Sequence, residues 1–373
     1  VDEFQDTNLL QWTFLQDFAG RNKEYKTDLV VFGDRSQQIY SFIGAIDGIL
    51  SEAKEVYAMK EVSLKTNHRF STNTTLSNLD RNLRQIIQEP QGSLDLVDVE
   101  ITTLQGKDQE DEIGLVLIQV KRILRDKPDR SIAVLLRNGS GNQNTKKIVE
   151  LFREATELPL FYALFSEEDQ EYINFHEECL VSVYRNTSNI LSFKRICDLV
   201  LSDTERESPS DLWLSLHSLL KVSCQQFSNE YRNLSKDIKI DLLIEVLEQH
   251  ALNKYIMYLE SPNVILATVH GAKGLEWDYV ILSDMERSSF PCYPGVCKYC
   301  NNTASCQFDQ IILESSNEFL ESWINELKLF YVACTRARKE LIFSYSDIGI
   351  SSKMRRRENE CSCFLNLPGL KSK

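Results

Sequence analysis

A chain of 373 residues, 42% hydrophobic and 26% charged, is long enough for two α/β domains and an insertion, each with its own core. Its 42 basic residues against 55 acidic ones give a formal charge of −13, which excludes attachment to a polyanion by bulk positive charge. No apolar run approaches the roughly 18–20 residues of a membrane span and no signal-peptide pattern is visible; ten cysteines without secretory context point to a reducing compartment such as the cytoplasm, with thiols reduced or metal-bound.

The first seven residues read Val-Asp-Glu-Phe-Gln-Asp-Thr. Two adjacent carboxylates at a strand end can hold Mg²⁺ and polarise a water for attack on phosphorus. Apolar groups at helical spacing predict a helix over 8–19, with Gly20 as its stop. Residues 29–33 (Leu-Val-Val-Phe-Gly) form a continuous apolar run, the pattern of a strand buried on both faces. Asp34 follows at its carboxyl end, where open α/β sheets place their ligand loops. Helices are predicted over 72–88, 108–126, 143–156 and 316–334, and strands over 131–136, 263–268 and 278–283. Between about 165 and 258 the chain is helix-prone, rich in Leu, Glu and Ser, and without a strong strand signal.

Four cysteines, Cys292, Cys297, Cys300 and Cys306, include one Cys-x-x-Cys, and the intervening Pro-Gly and Asn-Asn turns favour closure around a tetrahedral ion. Zn²⁺ is the first reading and an iron–sulfur cluster the second; Cys361 and Cys363 could join, and the alternative is a set of thiols that hold nothing. Either metal would be a structural clip on a loop.

Five segments carry complementary chemistry. After 1–7 come Gly-Asp-Arg-Ser-Gln-Gln-Ile-Tyr-Ser-Phe-Ile-Gly-Ala at 33–45, Leu-Lys-Thr-Asn-His-Arg-Phe-Ser at 64–71, Thr-Val-His-Gly-Ala-Lys-Gly-Leu-Glu-Trp at 268–277, and the stretch 326–338 ending in Thr-Arg-Ala-Arg. In this order they resemble motifs II to VI of the UvrD/Rep family of superfamily 1 DNA helicases, over nearly the whole chain. The resemblance implies an α/β fold of two RecA-like P-loop NTPase domains, the first truncated, with a small helical insertion in the second. The expected division is 1–62 for the remainder of the first domain, 63–164 and 259–373 for the second, and 165–258 for the insertion.

By the same resemblance, Asp2 holds Mg²⁺, Glu3 activates the hydrolytic water, and Gln5 lies near the γ-phosphate. Gln37 contacts the γ-phosphate, while Tyr40 and Phe42 offer rings to DNA bases; for Phe42, core packing is the competing reading. Arg69 supplies a bidentate fork for phosphate, His68 stands at the adenine-stacking position, and Asn67 braces the loop. Thr268 and His270 reach the DNA backbone, Gly271 and Gly274 admit close approach of a ligand, and Glu276 accepts from the ribose. Lys273 pairs with a Glu or with phosphate. Arg336 is the expected arginine finger, with Arg338 on the surface and Tyr331 in the packing. The basic run 353–357 is a solvated cluster or a DNA-backbone contact.

The chain departs from the family pattern at Ile43, where Arg is usual, at Phe42, where Trp is common, and at His68, where Tyr is usual. No Gly-x-x-x-x-Gly-Lys-[Ser/Thr] loop occurs in these residues, so an amino-terminal Walker A segment is expected upstream and the chain alone is expected to hydrolyse ATP weakly or not at all. The implied function is an ATP-dependent 3′→5′ helicase or translocase on single-stranded or partly duplex DNA. The alternative is a non-catalytic DNA-binding or partner-docking module built on the same fold. The short insertion is similar to that of compact UvrD-like helicases of phage-defence systems, which implies a nuclease partner.

Overall fold

The structure, a computed structural model, describes residues 1–21, 29–41, 44–64, 67–70, 72–139, 141–154, 158, 160–164, 169–187, 192–259, 264–292, 295–300, 308, 312, 316–350 and 356–373. These residues divide into two compact units, one built from 1–112, 282–349 and 356–373, the other from 113–281 and 350–355.

In the first unit, helix α1 (Leu9–Arg21) is opened by a reciprocal cap: Asn8 Oδ1 accepts from Gln11 N and Gln11 Oε1 accepts from Asn8 N. The helix runs through Gly20 instead of stopping there, because a single glycine costs only about 1 kcal/mol in a helix interior. Helix α2 (Ile49–Val56) packs its Ile49 and Ala53 against Phe4 and Trp12, and the Trp12 indole donates to Glu52 Oε1 at 2.7 Å. Helix α3 (Thr74–Gln88) is capped by Asn73, whose Oδ1 accepts from Leu76 N.

Residues 29–33 do not form the doubly buried strand expected of them. Phe32 N donates to Val1 O and Phe4 N to Phe32 O, but Val30 and Phe32 are 58% and 53% exposed. An apolar run becomes a buried strand only where neighbours cover both faces, and among the described residues these side chains lack that cover.

Strand β1 (Val99–Gly106) leads into α4 (Gln109–Asp126). The second unit then supplies β2 (Ile132–Leu136), α5 (Gln143–Glu154), β3 (Leu160–Ala163), and the helices α6 (Gln170–Thr187), α7 (Phe193–Asp203), α8 (Asp211–Asn229) and α9 (Lys236–Glu248). Ser192, Ser210 and Ser235 cap α7, α8 and α9, each accepting a backbone N–H three residues on, which is why the helix-prone stretch breaks where it does. Strands β4 (Val264–Thr268) and β5 (Trp277–Leu282) complete the unit in the order β3-β4-β2-β5. The β2–β4 and β3–β4 pairs are parallel, in register from Ile132↔Val264 to Leu136↔Thr268 and from Leu160↔Val264. Every residue of β2, β4 and β5 is buried, as continuous apolar runs in a parallel sheet require.

The first unit closes with α10 (Asn317–Cys334), capped by Ser316, and β6 (Ala337–Ser346). A two-stranded ribbon follows, β7 (Ile348–Ile350) with β8 (Arg356–Glu358), and then β9 (Leu370–Ser372). Strands β6, β1 and β9 lie side by side and parallel, with Thr102 opposite Ile342 and Val99 opposite Leu370. Phe290, Phe330, Phe343, Phe364 and Trp323 fill the core under this sheet.

Candidate nucleotide and nucleic-acid site

In the first unit the acidic couple sits on a strained turn. Glu3 adopts φ 49°, ψ 38°, a left-handed conformation that a non-glycine residue holds only at a cost on the order of 1 kcal/mol or more. Asp2 and Glu3 are exposed, and Asp2 Oδ1 accepts from Glu3 N at 2.9 Å. They border a cleft of about 680 Å³ that they share with Asp6, Thr7 and Gln11 and whose wall is mainly apolar, from Val1, Leu10, Phe14 and Leu15. Oxygen donors exposed at the rim of such a cleft suit a hard cation like Mg²⁺.

Gln5 ties this turn to the next segment. It is 2% exposed; its Nε2 donates to Glu3 Oε2, and its Oε1 accepts from Asp34 N at 3.0 Å. Gly33 makes this approach possible, since a Cβ there would stand 2.8 Å from Gln5 Oε1 and 3.0 Å from a Leu50 methyl. Gln38, a residue the sequence reading passed over, is buried and donates to both Gln5 O (2.8 Å) and Ile46 O (3.0 Å). Gln37 lies on a short 3-10 turn, Arg35–Gln37, with its Nε2 donating to Asp34 Oδ2 at 2.9 Å. Tyr40 is half-buried. Phe42 and Ile43 lie outside the described residues.

Two further expected residues converge at the carboxyl end of α10. Arg69 Nη1 donates to Thr335 O at 2.8 Å, while Arg336 Nη2 donates to Thr335 Oγ1 at 3.2 Å and Arg336 Nε to Val332 O at 2.9 Å. Guanidinium groups at a helix carboxyl terminus meet the negative end of its dipole. Arg336 is 1% exposed, its guanidinium turned onto the last turn of its own helix, whereas Arg338 is exposed. Asn67 Oδ1 accepts from Arg69 N at 3.0 Å, so Asn67 braces the loop, and His68 beside it is exposed.

Between these groups lies a network that the motif reading missed. Asp34 receives Arg84 Nη2 at 2.7 Å; Arg84 Nε reaches Asp80 Oδ1 at 3.1 Å, and the Tyr331 hydroxyl donates to the same oxygen at 2.7 Å. Asp80 and Arg84 are four apart on α3, a spacing that announces an ion pair, but nothing local announces Asp34 or Tyr331 as partners. Burial works against the Arg84 charge, yet Tyr331, Asp34 and Asp80 together hold the guanidinium above its ordinary value. Burial, with Asp80 beside it, raises the Tyr331 phenol. Lys328, also on α10, is lowered by burial against the opposing pull of Asp47, Glu321 and Asp6.

In the second unit, the loop after β4 carries the remaining predicted residues. Thr268 is buried, and its hydroxyl accepts from Gly271 N at 3.0 Å. The turn continues with Ala272 N donating to Thr268 O and Lys273 N to His270 O. Gly274 then takes φ +80°, which glycine alone adopts without penalty, and delivers the chain to Leu275, Glu276 and β5. His270, Lys273 and Glu276 are half-buried and Gly274 is exposed.

The zinc or iron–sulfur site expected at Cys292, Cys297, Cys300 and Cys306 has no support. Among the described residues no group of three or more His, Cys, Asp or Glu side chains is arranged to hold a metal ion. Cys297 is buried with its thiol donating to Pro291 O at 3.3 Å, and Cys292 N donates to Glu326 Oε2 at 3.2 Å. Cys300 is half-buried at the end of the short Cys297–Tyr299 turn, and its N donates to Cys297 O at 3.4 Å. Of these bonds only the one from Cys297 engages a thiol; those of Cys292 and Cys300 are made by the backbone. Cys306 lies outside the described residues, as do 353–355 of the basic run. Among the described residues no helix is long and apolar enough to cross a membrane.

Comparison with known proteins agrees with this layout. The UvrD/REP helicase N-terminal domain matches residues 1–58 and the UvrD-like helicase C-terminal domain matches residues 200–347. The chain belongs to the UvrD/Rep family of helicases, and its parallel α/β architecture is consistent with the family's RecA-like fold. A probable DNA helicase II homolog of Mycoplasma genitalium is 24% identical over 410 positions, covering 92% of this chain and 54% of that protein. The ATP-dependent DNA helicases PcrA of Staphylococcus aureus and Staphylococcus epidermidis are each 24% identical, over 93% and 92% of this chain and 54% of their own length. The chain thus spans about half the length of the curated relatives it matches.

Proposed function

We propose that this chain carries most of the motor site of an ATP-dependent DNA helicase or translocase. The observation that supports it best is the meeting of Arg69 and Arg336 on Thr335, in the same unit that ties Glu3, Gln5, Asp34 and Gln37 into one hydrogen-bonded series. Arg69, half-buried, can offer its guanidinium to a polyanion, whereas the buried Arg336 would first have to leave the carbonyl of its own helix; an amide with two carboxylates suits a Mg²⁺-bound triphosphate and its attacking water.

In this reading Asp2 holds the Mg²⁺ that arrives with ATP, Glu3 orients the water, and Gln37 contacts the γ-phosphate. Arg69 and Arg336 neutralise charge on the transferred phosphoryl group, His68 stacks on adenine, and Glu276 accepts from the ribose. Tyr40, Phe42, Thr268 and His270 line the track for single-stranded DNA, followed 3′→5′. Residues 1–62 belong to the first RecA-like domain, 63–164 and 259–373 to the second, and 165–258 to the helical insertion. The protein works in the cytoplasm, with a nuclease as candidate partner.

The test is strand displacement by the full-length protein on duplexes with a 3′ or a 5′ single-stranded tail, with ATP and Mg²⁺. Displacement of the 3′-tailed substrate alone is expected. Tight DNA binding without displacement or hydrolysis would favour the docking-module reading instead.

A further inference from the structure

The Gln37 amide, read above as the γ-phosphate contact, does not hold its own position. Its Nε2 donates to Asp34 Oδ2, and Arg84 Nη2 lies 2.7 Å from that same oxygen. The other oxygen of Asp34 accepts from Ser36 N at 3.0 Å, and Asp34 N donates to Gln5 Oε1. Asp34 is therefore the junction of the acidic turn, the Gln37 turn and helix α3. From Arg84 the series runs on through Asp80 to the Tyr331 hydroxyl on α10, with the guanidinium carbon 5.1 Å from the centre of the Tyr331 ring. Tyr331 O in turn accepts from both N and Oγ1 of Thr335, the residue on which Arg69 and Arg336 meet.

An ordinary surface ion pair would do nothing here; such pairs contribute about 0–1 kcal/mol. This one differs in its connections. Its carboxylate orients a glutamine amide, and its cation is shared with a second carboxylate and a tyrosine ring.

We propose that Arg84 is a positioning residue for ATP hydrolysis. It pins and neutralises Asp34 so that the Gln37 amide is aimed at the γ-phosphate, and it links that aim to the end of α10 through Asp80 and Tyr331. The proposal rests on the motor reading of the site and adds a residue that no motif contains.

The experiment is steady-state ATP hydrolysis by the full-length protein at saturating single-stranded DNA, for wild type, Arg84→Ala, Arg84→Lys, Gln37→Ala and the double variant Gln37→Ala/Arg84→Ala, with thermal unfolding of each. Arg84→Ala is expected to lower kcat about tenfold while KM for ATP stays within about twofold, because the aimed contact matters most in the transition state. Arg84→Lys is expected to recover part of that loss, and Arg84→Ala to have no further effect once Gln37 is alanine. An unchanged kcat in Arg84→Ala, or a full additional tenfold loss in the Gln37→Ala background, overturns the proposal. Absence of hydrolysis by the wild type is a different failure: it removes the motor reading and the proposal with it.

Discussion

Replacing Gly33 by alanine tests how closely the acidic turn and the Gln37 segment are joined. The new Cβ would stand 2.8 Å from Gln5 Oε1 and 3.0 and 3.2 Å from the two methyls of Leu50. Leu50 can rotate, but Gln5 is buried and already uses its oxygen on Asp34 N and its amide on Glu3. Moving it loses a hydrogen bond and leaves a backbone N–H short of a partner, about 1–3 kcal/mol. Gly33 does not lie at positive φ, so alanine also gains about 0.4–1 kcal/mol by narrowing the unfolded ensemble. The balance is a loss of about 1–2 kcal/mol, measurable by urea unfolding, together with reduced ATP turnover. In a Gln5→Ala background the clash with Oε1 disappears, and Gly33→Ala should become neutral or stabilising. A neutral or stabilising Gly33→Ala in the wild-type background would refute this reasoning.

Two more outcomes follow from the same geometry. Burial, and then the neighbouring Glu286, push Glu112 up to about 8, while burial and Asp284 push Glu286 up to about 8. A carboxyl group whose folded value lies above its unfolded 4.5 stabilises fully below pH 4.5 and loses that contribution as pH rises through about 8. Thermal stability should therefore fall between about pH 4.5 and 8, by on the order of a few kcal/mol, and Glu112→Gln should flatten that fall; an unchanged slope would contradict it. Gly274→Ala at φ +80° should cost about 1–2 kcal/mol in urea unfolding, and a cost near zero would show that the loop relaxes.

Much of the second unit was legible in the sequence. Ile132–Leu136 and Val264–Thr268 are apolar runs that end in polar segments, and both are buried strands where the pattern put them. The helices over 74–88, 109–126 and 317–334 agree with their predicted spans to within two residues. The failures have physical causes. Leu29–Gly33 has a strand's composition, but composition does not supply the neighbours that would bury it. Cys292, Cys297 and Cys300 have the spacing of ligands, yet spacing does not fix where thiols point, and among the described residues no group of three or more such side chains is arranged for a metal ion. Motif strings pointed to Arg69 and Arg336 but were silent on Arg84, because its partners Asp34 and Tyr331 lie 50 positions before it and 247 after it. Local periodicity carries no information about such pairs.

The most direct measurement is single-stranded-DNA-stimulated ATP hydrolysis by the full-length protein beside its Glu3→Gln and Arg336→Lys variants, with nucleotide binding followed in parallel. DNA-dependent turnover is expected in the wild type, reduced by about 10³ or more in each variant while nucleotide still binds. Turnover that persists in both variants, or a wild type that hydrolyses nothing with or without DNA, would contradict the assignment of these carboxylate and guanidinium groups to one catalytic site.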